Sequence, residues 1–525
     1  MIRSTSLDHE RVKLVLFFTQ IKYEGEKIMA GSEKQGVMKY IHIFIALFLM
    51  FVAGNIIPPI YPLTEVGMQV MGVFLGVVWA WIFVGFLWPS LLAIVALGLT
   101  DFNSMNNVLQ GSFGNHVAVL LLFSMILFGS PEHVGATKYI TRFFLTRRVY
   151  NGKPIMFAFT FFFATYMLSV AVNVTPSLLL MWAVLYGILK DLGYEKGEKF
   201  TSLMIVGTFL GAISGQASLP FSGSTLAIIS VFNDAVYDIA GTRADLPALQ
   251  YILLGFIFTV LVFIGYCLFM KVVLKPADLE KVANVNVEMF NKDPLPPMNM
   301  LQKINFGAML TFIILLLAPE LMPNSWWITS TLTGLGPAGI GLLVTGIMMI
   351  IRVGGKPALD FGVVAKNHIN WDVFVMVAAA MVIASALTSQ GTGATPDTGV
   401  VAAMEMALRP LLGGHTALIF FAIMLLFGMF VTNFASSMVI GIAIMPILVI
   451  FGLQAGANLQ AVATTTILLI HYSIILPSAS VFAAMLWGNE EWIAPKDVFK
   501  SGAFIVVLAM VVAFVVIMPL SNLLF

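Results

Sequence analysis

The chain has 525 residues, of which 59% are hydrophobic and only 10% are charged, and its formal net charge is +1. So large an apolar excess excludes an assembly of soluble domains, and the balanced charge argues against a nucleic-acid partner. We therefore expect an all-α polytopic membrane protein, because helices satisfy their own backbone hydrogen bonds in lipid. The single cysteine, Cys267, excludes a disulfide framework and cysteine-based metal sites.

Apolar segments organise most of the chain. Residues 1–39 are polar and basic, and they predict a cytoplasmic N-terminal tail. Apolar segments follow at 40–57, 66–81, 82–99, 115–130, 154–190, 200–232, 249–270, 304–318, 338–351, 371–388, 415–451, 460–488 and 501–519. One spanning helix takes about 20 residues, so the segments 154–190 and 415–451 are each nearly two spans long. We interpret these two as re-entrant helical hairpins and the other eleven as transmembrane helices.

The lysine and arginine residues indicate the orientation. With the N-terminus in the cytoplasm, 25 of the 27 fall in the predicted cytoplasmic segments, and the exceptions are Arg243 and Arg409. Such a bias is typical of cytoplasmic loops. Eleven crossings then place the C-terminus outside the cell. The distribution is the same whether each hairpin turns back within the membrane or crosses it twice.

The two halves of the chain repeat one pattern. The first repeat covers 40–275, the second covers 303–525, and a cytoplasmic linker at 276–302 joins them. Each repeat has a hairpin, 154–190 or 415–451, followed by a broken helix rich in Gly, Ser and Pro, 200–232 or 460–488. Equivalent residues lie at similar separations: Asn173 and Asn433 at 260, Pro220 and Pro477 at 257, and His116 and Trp371 at 255 residues. Because the first hairpin opens to the cytoplasm and the second to the exterior, the repeats are expected to be inverted.

An asparagine lies at the tip of each hairpin, and its amide can donate to an anion or offer oxygen to a cation. Broken helices add exposed carbonyls for cations and N–H groups for anions. None of the 26 acidic residues lies in the predicted hairpins or broken helices, which favours Na⁺ over a proton as the coupling ion. The substrate-binding candidates are Asn173, Thr175, Ser218, Pro220, Asn433, Ser436, Ser437, Pro477 and Ser478, and the sodium-binding candidates are Asn173, Gly211, Gly215, Thr432, Asn433 and Ser480.

Several alternatives stay open. His471 lies in the second broken helix and is the titratable residue that allows a proton-coupled carrier. An uncoupled anion carrier or an exporter has the same sequence pattern. An intramembrane enzyme is disfavoured because no HExxH, GxSxG or paired carboxylate motif accompanies a span. A channel is disfavoured because hairpin tips at mid-membrane are more typical of alternating access.

Most of residues 40–525, including both hairpins, resemble the divalent anion/sodium symporters of the ion-transporter superfamily. Members of that family carry Ser-Asn-Thr at each hairpin tip, and here the tips read Val172-Asn173-Val174 and Thr432-Asn433-Phe434. The family's proline-containing broken helices are matched by LPFSGS from Leu219 and LPSASV from Leu476. The resemblance implies two Na⁺ sites, one at each tip, with the substrate between them. It also implies a homodimer and an elevator movement of the hairpin domain.

These observations together predict a sodium-coupled symporter for a small organic dianion similar to a C4-dicarboxylate. We expect it in the cytoplasmic membrane, with the lipid bilayer, Na⁺ and the anion as its partners. The prediction includes no catalytic residues, no organic cofactor and no transition metal.

Overall fold

The computed structural model of the protein describes residues 38–146, 152–242, 245–282, 295–323, 325–391, 395–434, 436–489 and 491–525. The predicted tail at 1–39 lies almost entirely outside these residues. Arg243 and residues 283–294 of the predicted linker also lie outside them.

The described part of the chain is predominantly helical. The first half forms α1 (Met38–Ile56), α2 (Glu65–Phe83), α3 (Leu87–Gly98), α4 (Met105–Ser112), α5 (His116–His133), α6 (Thr137–Leu145), α7 (Pro154–Ala171), α8 (Val174–Asp191), α9 (Lys199–Ser218), α10 (Gly223–Ala240), α11 (Ala248–Val273) and α12 (Pro276–Glu280). Over both halves of the described chain, twelve helices are long and apolar enough to cross a membrane, with α9 and α10 counted as one. The predicted fold class is therefore confirmed.

The second half forms α13 (Met300–Leu321), α14 (Trp327–Ile350), α15 (Phe361–His368), α16 (Trp371–Thr388), α17 (Val400–Leu412), α18 (Ala417–Thr432), α19 (Ser437–Gln454), α20 (Leu459–Ile470), α21 (Val481–Trp487) and α22 (Pro495–Leu524). Two short strands, β1 (Arg352–Val353) and β2 (Lys356–Pro357), pair antiparallel between α14 and α15. The order of elements recurs from the first half. An eight-residue helix, α4 or α15, precedes an 18-residue helix, α5 or α16. The inversion of the repeats stays a prediction.

A proline lies in each of the two broken helices and makes the residue before it extended. Leu219 precedes Pro220 and is extended, with φ −107° and ψ 110°, and Leu476 precedes Pro477 and is extended, with φ −121° and ψ 151°. Proline disfavours the helical conformation of the residue before it. Helix α9 therefore ends just before Leu219, and α10 begins after the break. In the second repeat, extended Leu476 is followed by a 3₁₀ turn at Pro477–Ala479 and then by α21.

The two hairpins are pairs of helices separated by short tips. Helices α7 and α8 have 18 residues each and are interrupted by Val172 and Asn173. Helices α18 and α19 have 16 and 18 residues and are interrupted at 433–436. An 18-residue helix is about 27 Å long, close to the thickness of a bilayer core. The lengths therefore fit both a re-entrant hairpin and a pair of crossings.

The first broken helix extends further than the sequence indicated. Its second half, α10, ends at Ala240 rather than at residue 232, so Asp234 and Asp238 lie on it. The interpretation that no acidic residue lies in the broken helices was therefore wrong for this helix. The polar residues near its end resemble a loop in sequence, but packing against α16 keeps them helical.

The two broken-helix halves α9 and α10 form the centre of the molecule. In the most apolar window of Lys199–Ala240, 94% of the residues are buried, compared with 17% in Met38–Ile56. Helix α9 packs against α7, α8 and α11, and α10 packs against α19 and α16. Helices α2–α4 pack against α16, and α13–α15 pack against α5. The first broken helix is therefore the most deeply buried of the apolar segments in the described part of the chain.

Candidate transport site

The tip of the second hairpin is docked onto the second broken helix through Asn433. This side chain is only 3% exposed. Its Oδ1 accepts hydrogen bonds from the backbone N–H groups of Ile474 at 3.1 Å and Ile475 at 3.0 Å, and its Nδ2 donates to the Met429 carbonyl at 2.8 Å. Because an amide oxygen has two lone pairs, both are engaged here. In this conformation Asn433 clamps the tip to the break, and a cation could bind its oxygen only by displacing an N–H group.

The tip of the first hairpin is not docked in this way. Asn173 is exposed, and its Oδ1 accepts a hydrogen bond from the adjacent Val174 N–H at 2.6 Å. The side chain therefore caps the N-terminus of α8. The two asparagines that occupy equivalent sequence positions have different surroundings, and the amide of Asn173 faces outward and is accessible to a ligand.

His471 joins the two broken helices. Its Nδ1 lies 2.7 Å from the Ile467 carbonyl oxygen, which can only accept, so Nδ1 carries a proton. In the neutral ring Nε2 is then an acceptor, and it lies 3.2 Å from both the Ser224 and Thr225 hydroxyl oxygens at the start of α10. The break in the second repeat thus contacts the break in the first.

Further hydrogen bonds extend this contact into a polar cluster. Gln216 Nε2 donates to Ser224 Oγ at 2.6 Å, and Thr225 Oγ1 donates to the Gln216 carbonyl at 3.0 Å. Ser222 Oγ donates to the same carbonyl at 2.8 Å. Ser214 and Tyr472 hydroxyls lie 2.8 Å apart, which makes a second link between the repeats. The cluster is built from neutral groups that both donate and accept.

Several predicted ligands have structural partners. Thr432 Oγ1 donates to the Met429 carbonyl, and Ser480 Oγ accepts from the Ala483 N–H as the N-cap of α21. Ser218 Oγ donates to the Ser214 carbonyl and lies 3.1 Å from Thr259 Oγ1. These bonds do not exclude ligand binding, but each must be rearranged or shared when a ligand binds.

The remaining candidates differ in exposure. Pro477 and Ser478 are exposed in the 3₁₀ turn, whereas Pro220 is buried. Thr175 and Ser436 are partly exposed beside the two tips, and Ser437 is buried at the start of α19. The structure therefore brings Asn433 to the second break but leaves Asn173 and Ser478 on accessible surfaces.

Gly211 and Gly215 are accounted for by packing. A Cβ at Gly211 would lie 2.6 Å from the Phe162 carbonyl oxygen, and one at Gly215 would lie 2.8 Å from the Tyr166 carbonyl oxygen. Real Cβ atoms do not approach so closely, so these glycines allow α9 to lie directly against α7. Their proposed contribution to a sodium site stays a prediction.

Two buried hydroxyls near the tips have no hydrogen-bond partner among the described residues. Ser177 lies one turn into α8 and Ser473 lies in the second break, and each is 1% exposed. A buried hydroxyl without a partner costs about 1–3 kcal/mol, which ligand binding could recover. These two serines are therefore additional candidate ligands.

Sequence reasoning missed three members of the polar cluster, Gln216, Thr225 and Tyr472. Gln216 is an amide side chain within the largely apolar segment GAISGQASL, and a polar side chain in such a segment could have identified it as a candidate. Thr225 and Tyr472 are adjacent to residues that were recognised. Their roles depend on contacts between elements about 250 residues apart, which no local pattern shows.

Paired hairpins and paired broken helices around shared polar groups are the architecture of a membrane transporter. The chain belongs to the citrate transporter family, because the model of that family, CitMHS, matches residues 74–470. This family is related to the divalent anion/sodium symporters, so the predicted family relationship is confirmed.

Solved structures show the same fold. The chain resembles the YdaH transporter of Alcanivorax borkumensis with a TM-score of 0.50 and 14% identity, over 79% of this chain and 87% of that one. It resembles MtrF of Neisseria gonorrhoeae, described with a class of antimetabolite efflux pumps, with a TM-score of 0.51 and 15% identity, over 92% and 94% of the two chains. No curated protein sequence matches the chain significantly. The family and both structural neighbours are transporters, in keeping with a non-enzymatic function.

Proposed function

We propose that the protein is a secondary active symporter that uses Na⁺ to import a small di- or tricarboxylate, such as a C4-dicarboxylate or citrate. The observation that carries this proposal is the contact of both broken helices and the second hairpin tip through neutral hydroxyl, amide and carbonyl groups. The description of the family as citrate transporters supports a carboxylate substrate.

Charge balance supports coupling to a cation. Residues 172–177, 219–224, 432–437 and 471–480, which form the tips and breaks, contain no lysine or arginine. A carboxylate that enters a dry site without a positive partner is strongly destabilised. A cotransported cation supplies that charge, and carbonyl, amide and hydroxyl oxygens are suitable ligands for Na⁺.

Uptake of radiolabelled succinate and citrate into proteoliposomes tests sodium coupling. With a tenfold inward Na⁺ gradient and no membrane potential, each coupled Na⁺ contributes about 1.4 kcal/mol and supports up to about tenfold accumulation. Replacing external Na⁺ with K⁺ is expected to abolish the accumulation. Equal accumulation in the two salts contradicts the proposal, and protein-free liposomes provide the background.

A proton-coupled carrier is the second candidate, and the position of His471 favours it. This side chain lies where the two broken helices meet, and protonation changes Nε2 from an acceptor of the Ser224 hydroxyl proton to a donor. A proton on His471 would therefore reorganise the contact between the repeats.

The variant His471→Gln separates the two candidates. Under sodium coupling we expect Na⁺-driven uptake to persist with an unchanged dependence on Na⁺ concentration, because glutamine retains an amide for the contact with Ser224. A loss of about 1 kcal/mol in stability is expected from the altered hydrogen bonds. If an inward pH gradient alone drives uptake in the wild type, and the variant loses that response, the proton-coupled alternative replaces the sodium proposal.

We also propose a homodimer in the cytoplasmic membrane, with a cytoplasmic N-terminus and an extracytoplasmic C-terminus. The distribution of lysine and arginine supports this orientation. The dimer follows from the family resemblance. Labelling of single cysteines in each terminus by an impermeant maleimide, and the mass of the detergent-solubilised protein, test the orientation and the assembly respectively.

A further inference from the structure

Helices α10 and α16 lie side by side along their whole length. At one end a Cβ on Gly223 would lie 3.5 Å from Val373 Cγ1. At the other end Thr388 Oγ1 donates a hydrogen bond of 2.5 Å to Asp238 Oδ2. The register is the same at both ends, because each pair is separated by 150 residues in the sequence. The helices are thus parallel, and their shared face is about 27 Å long.

This face joins the site-bearing helices to the rest of the protein. The first turn of α10 contains Ser224 and Thr225, which contact His471, and the helix also packs against α19 of the second hairpin. Helix α16 packs against α2, α3 and α4, which carry none of the candidate ligands. The contact between α10 and α16 is therefore one of the interfaces at which the site-bearing helices meet the rest of the protein, together with the contacts of α19 with α2 and α16.

The middle of the shared face is made mostly of small, uncharged side chains up to Asp234, which lies one turn before Asp238 on α10. Helical spacing from the two end contacts places Ala227 of α10 and Val377, Ala380 and Ala384 of α16 in it, and all four are at most 4% exposed. Small side chains form shallow ridges, so they interlock weakly and resist sliding less than large side chains do. The Asp238–Thr388 hydrogen bond is a polar tie at the end of this smooth face.

A cavity beside the tie can receive the Asp238 carboxylate when the tie breaks. Its volume is about 230 Å³, and its lining includes the carboxylates of Asp234 and Asp238 together with the amides of Asn103, Asn107 and Asn115. Amide N–H groups can replace the hydroxyl of Thr388 as donors to the carboxylate. Asp238 can therefore leave Thr388 without losing all hydrogen-bonding partners.

We propose that α10 slides along α16 during transport, and that the Asp238–Thr388 hydrogen bond is the latch that holds the conformation seen here. This inference rests on the proposed transport function, because a latch matters only if the site moves. It assigns a conformational role to a carboxylate near the end of α10 that lies outside the candidate binding residues. The cavity of Asn103, Asn107 and Asn115 accommodates Asp238 in the other conformation.

Mercury cross-linking of paired cysteines tests the latch. The pair Asp238→Cys and Thr388→Cys is placed in a Cys267→Ala background and reconstituted into proteoliposomes. The matched control is Gln69→Cys with Asp101→Cys, because Gln69 Nε2 lies 3.0 Å from Asp101 Oδ2 and this contact joins α2 to the segment that follows α3, without α10 or α16. Bridging by Hg²⁺, verified by protection from maleimide labelling, is expected to reduce uptake at least tenfold in the 238/388 pair only, and dithiothreitol is expected to restore it.

Full uptake by verified, bridged 238/388 protein overturns the latch. If the pair does not bridge, a labelling experiment that needs no substrate decides the question. The rate of maleimide labelling of Thr388→Cys is compared between proteins with Asp238 and with Asp238→Ala. Faster labelling in the Asp238→Ala protein supports the latch, and an unchanged rate overturns it. Absence of uptake in the unbridged Cys267→Ala background contradicts the transport function instead. The two failures are therefore distinguishable.

Discussion

Replacing Asn433 by alanine is expected to abolish transport and to destabilise the protein at the same time. The substitution removes the acceptor for the Ile474 and Ile475 N–H groups, and Ile474 is fully buried. A buried donor without a partner costs about 1–3 kcal/mol. It also releases the tip of the second hairpin from the break that it closes. A thermal-shift measurement in detergent and an uptake assay on the same preparation quantify both effects.

The matched variant is Asn173→Ala at the other tip. Asn173 is exposed and its side chain bonds only to the neighbouring Val174 N–H among the described contacts, so its loss removes an N-cap worth about 1 kcal/mol. We expect transport to be lost while most of the stability is retained. If the two variants lose stability equally, the protein in solution does not have one docked tip at Asn433 and one undocked tip at Asn173. Normal uptake by either variant removes that asparagine from the site.

Local sequence signals were sufficient to predict that helices break near Pro220 and Pro477. The residue before a proline is biased toward extended backbone, and Leu219 and Leu476 both adopt it, whereas Pro131 and Pro446 lie inside helices. Apolar runs likewise indicated the helices, because lipid imposes the same requirement on every span. Polar residues at the end of α10 were the exception. Asp234 and Asp238 resemble a loop in sequence, and only their packing beside α16 shows that they belong to the helix.

Partnerships between the repeats could not be predicted from sequence. The equivalence of Asn173 and Asn433 suggested equivalent roles, but one side chain caps its own helix and the other clamps a distant break. The tautomer of His471 is set by a carbonyl one turn earlier and two hydroxyls about 247 residues away. Such roles depend on which neutral groups meet across helices. Composition and spacing indicate which residues belong to the site, but they do not show which hydrogen bonds those residues make.

Alanine at Gly211 is expected to destabilise the protein without changing its affinity for Na⁺. A Cβ there would lie 2.6 Å from the Phe162 carbonyl oxygen and 3.0 Å from Thr165 Cβ, so α9 and α7 must move apart. Overpacking of this kind costs about 1–3 kcal/mol. The Gly211 carbonyl lies inside α9, where the helix itself provides an N–H partner, so a cation has little access to it.

Gly187→Ala provides the control because Gly187 is an exposed residue of α8, and a Cβ added there would have no atom within 4 Å. There the same substitution favours helix formation by up to about 1 kcal/mol, since glycine is a poor helix former. Thermal shift and the Na⁺ concentration for half-maximal uptake are measured for both variants. A stable Gly211→Ala protein with a weakened response to Na⁺ contradicts the packing role and restores Gly211 to the sodium site. A destabilised protein with an unchanged Na⁺ response shows that the helix contact, rather than an ion, requires glycine at this position.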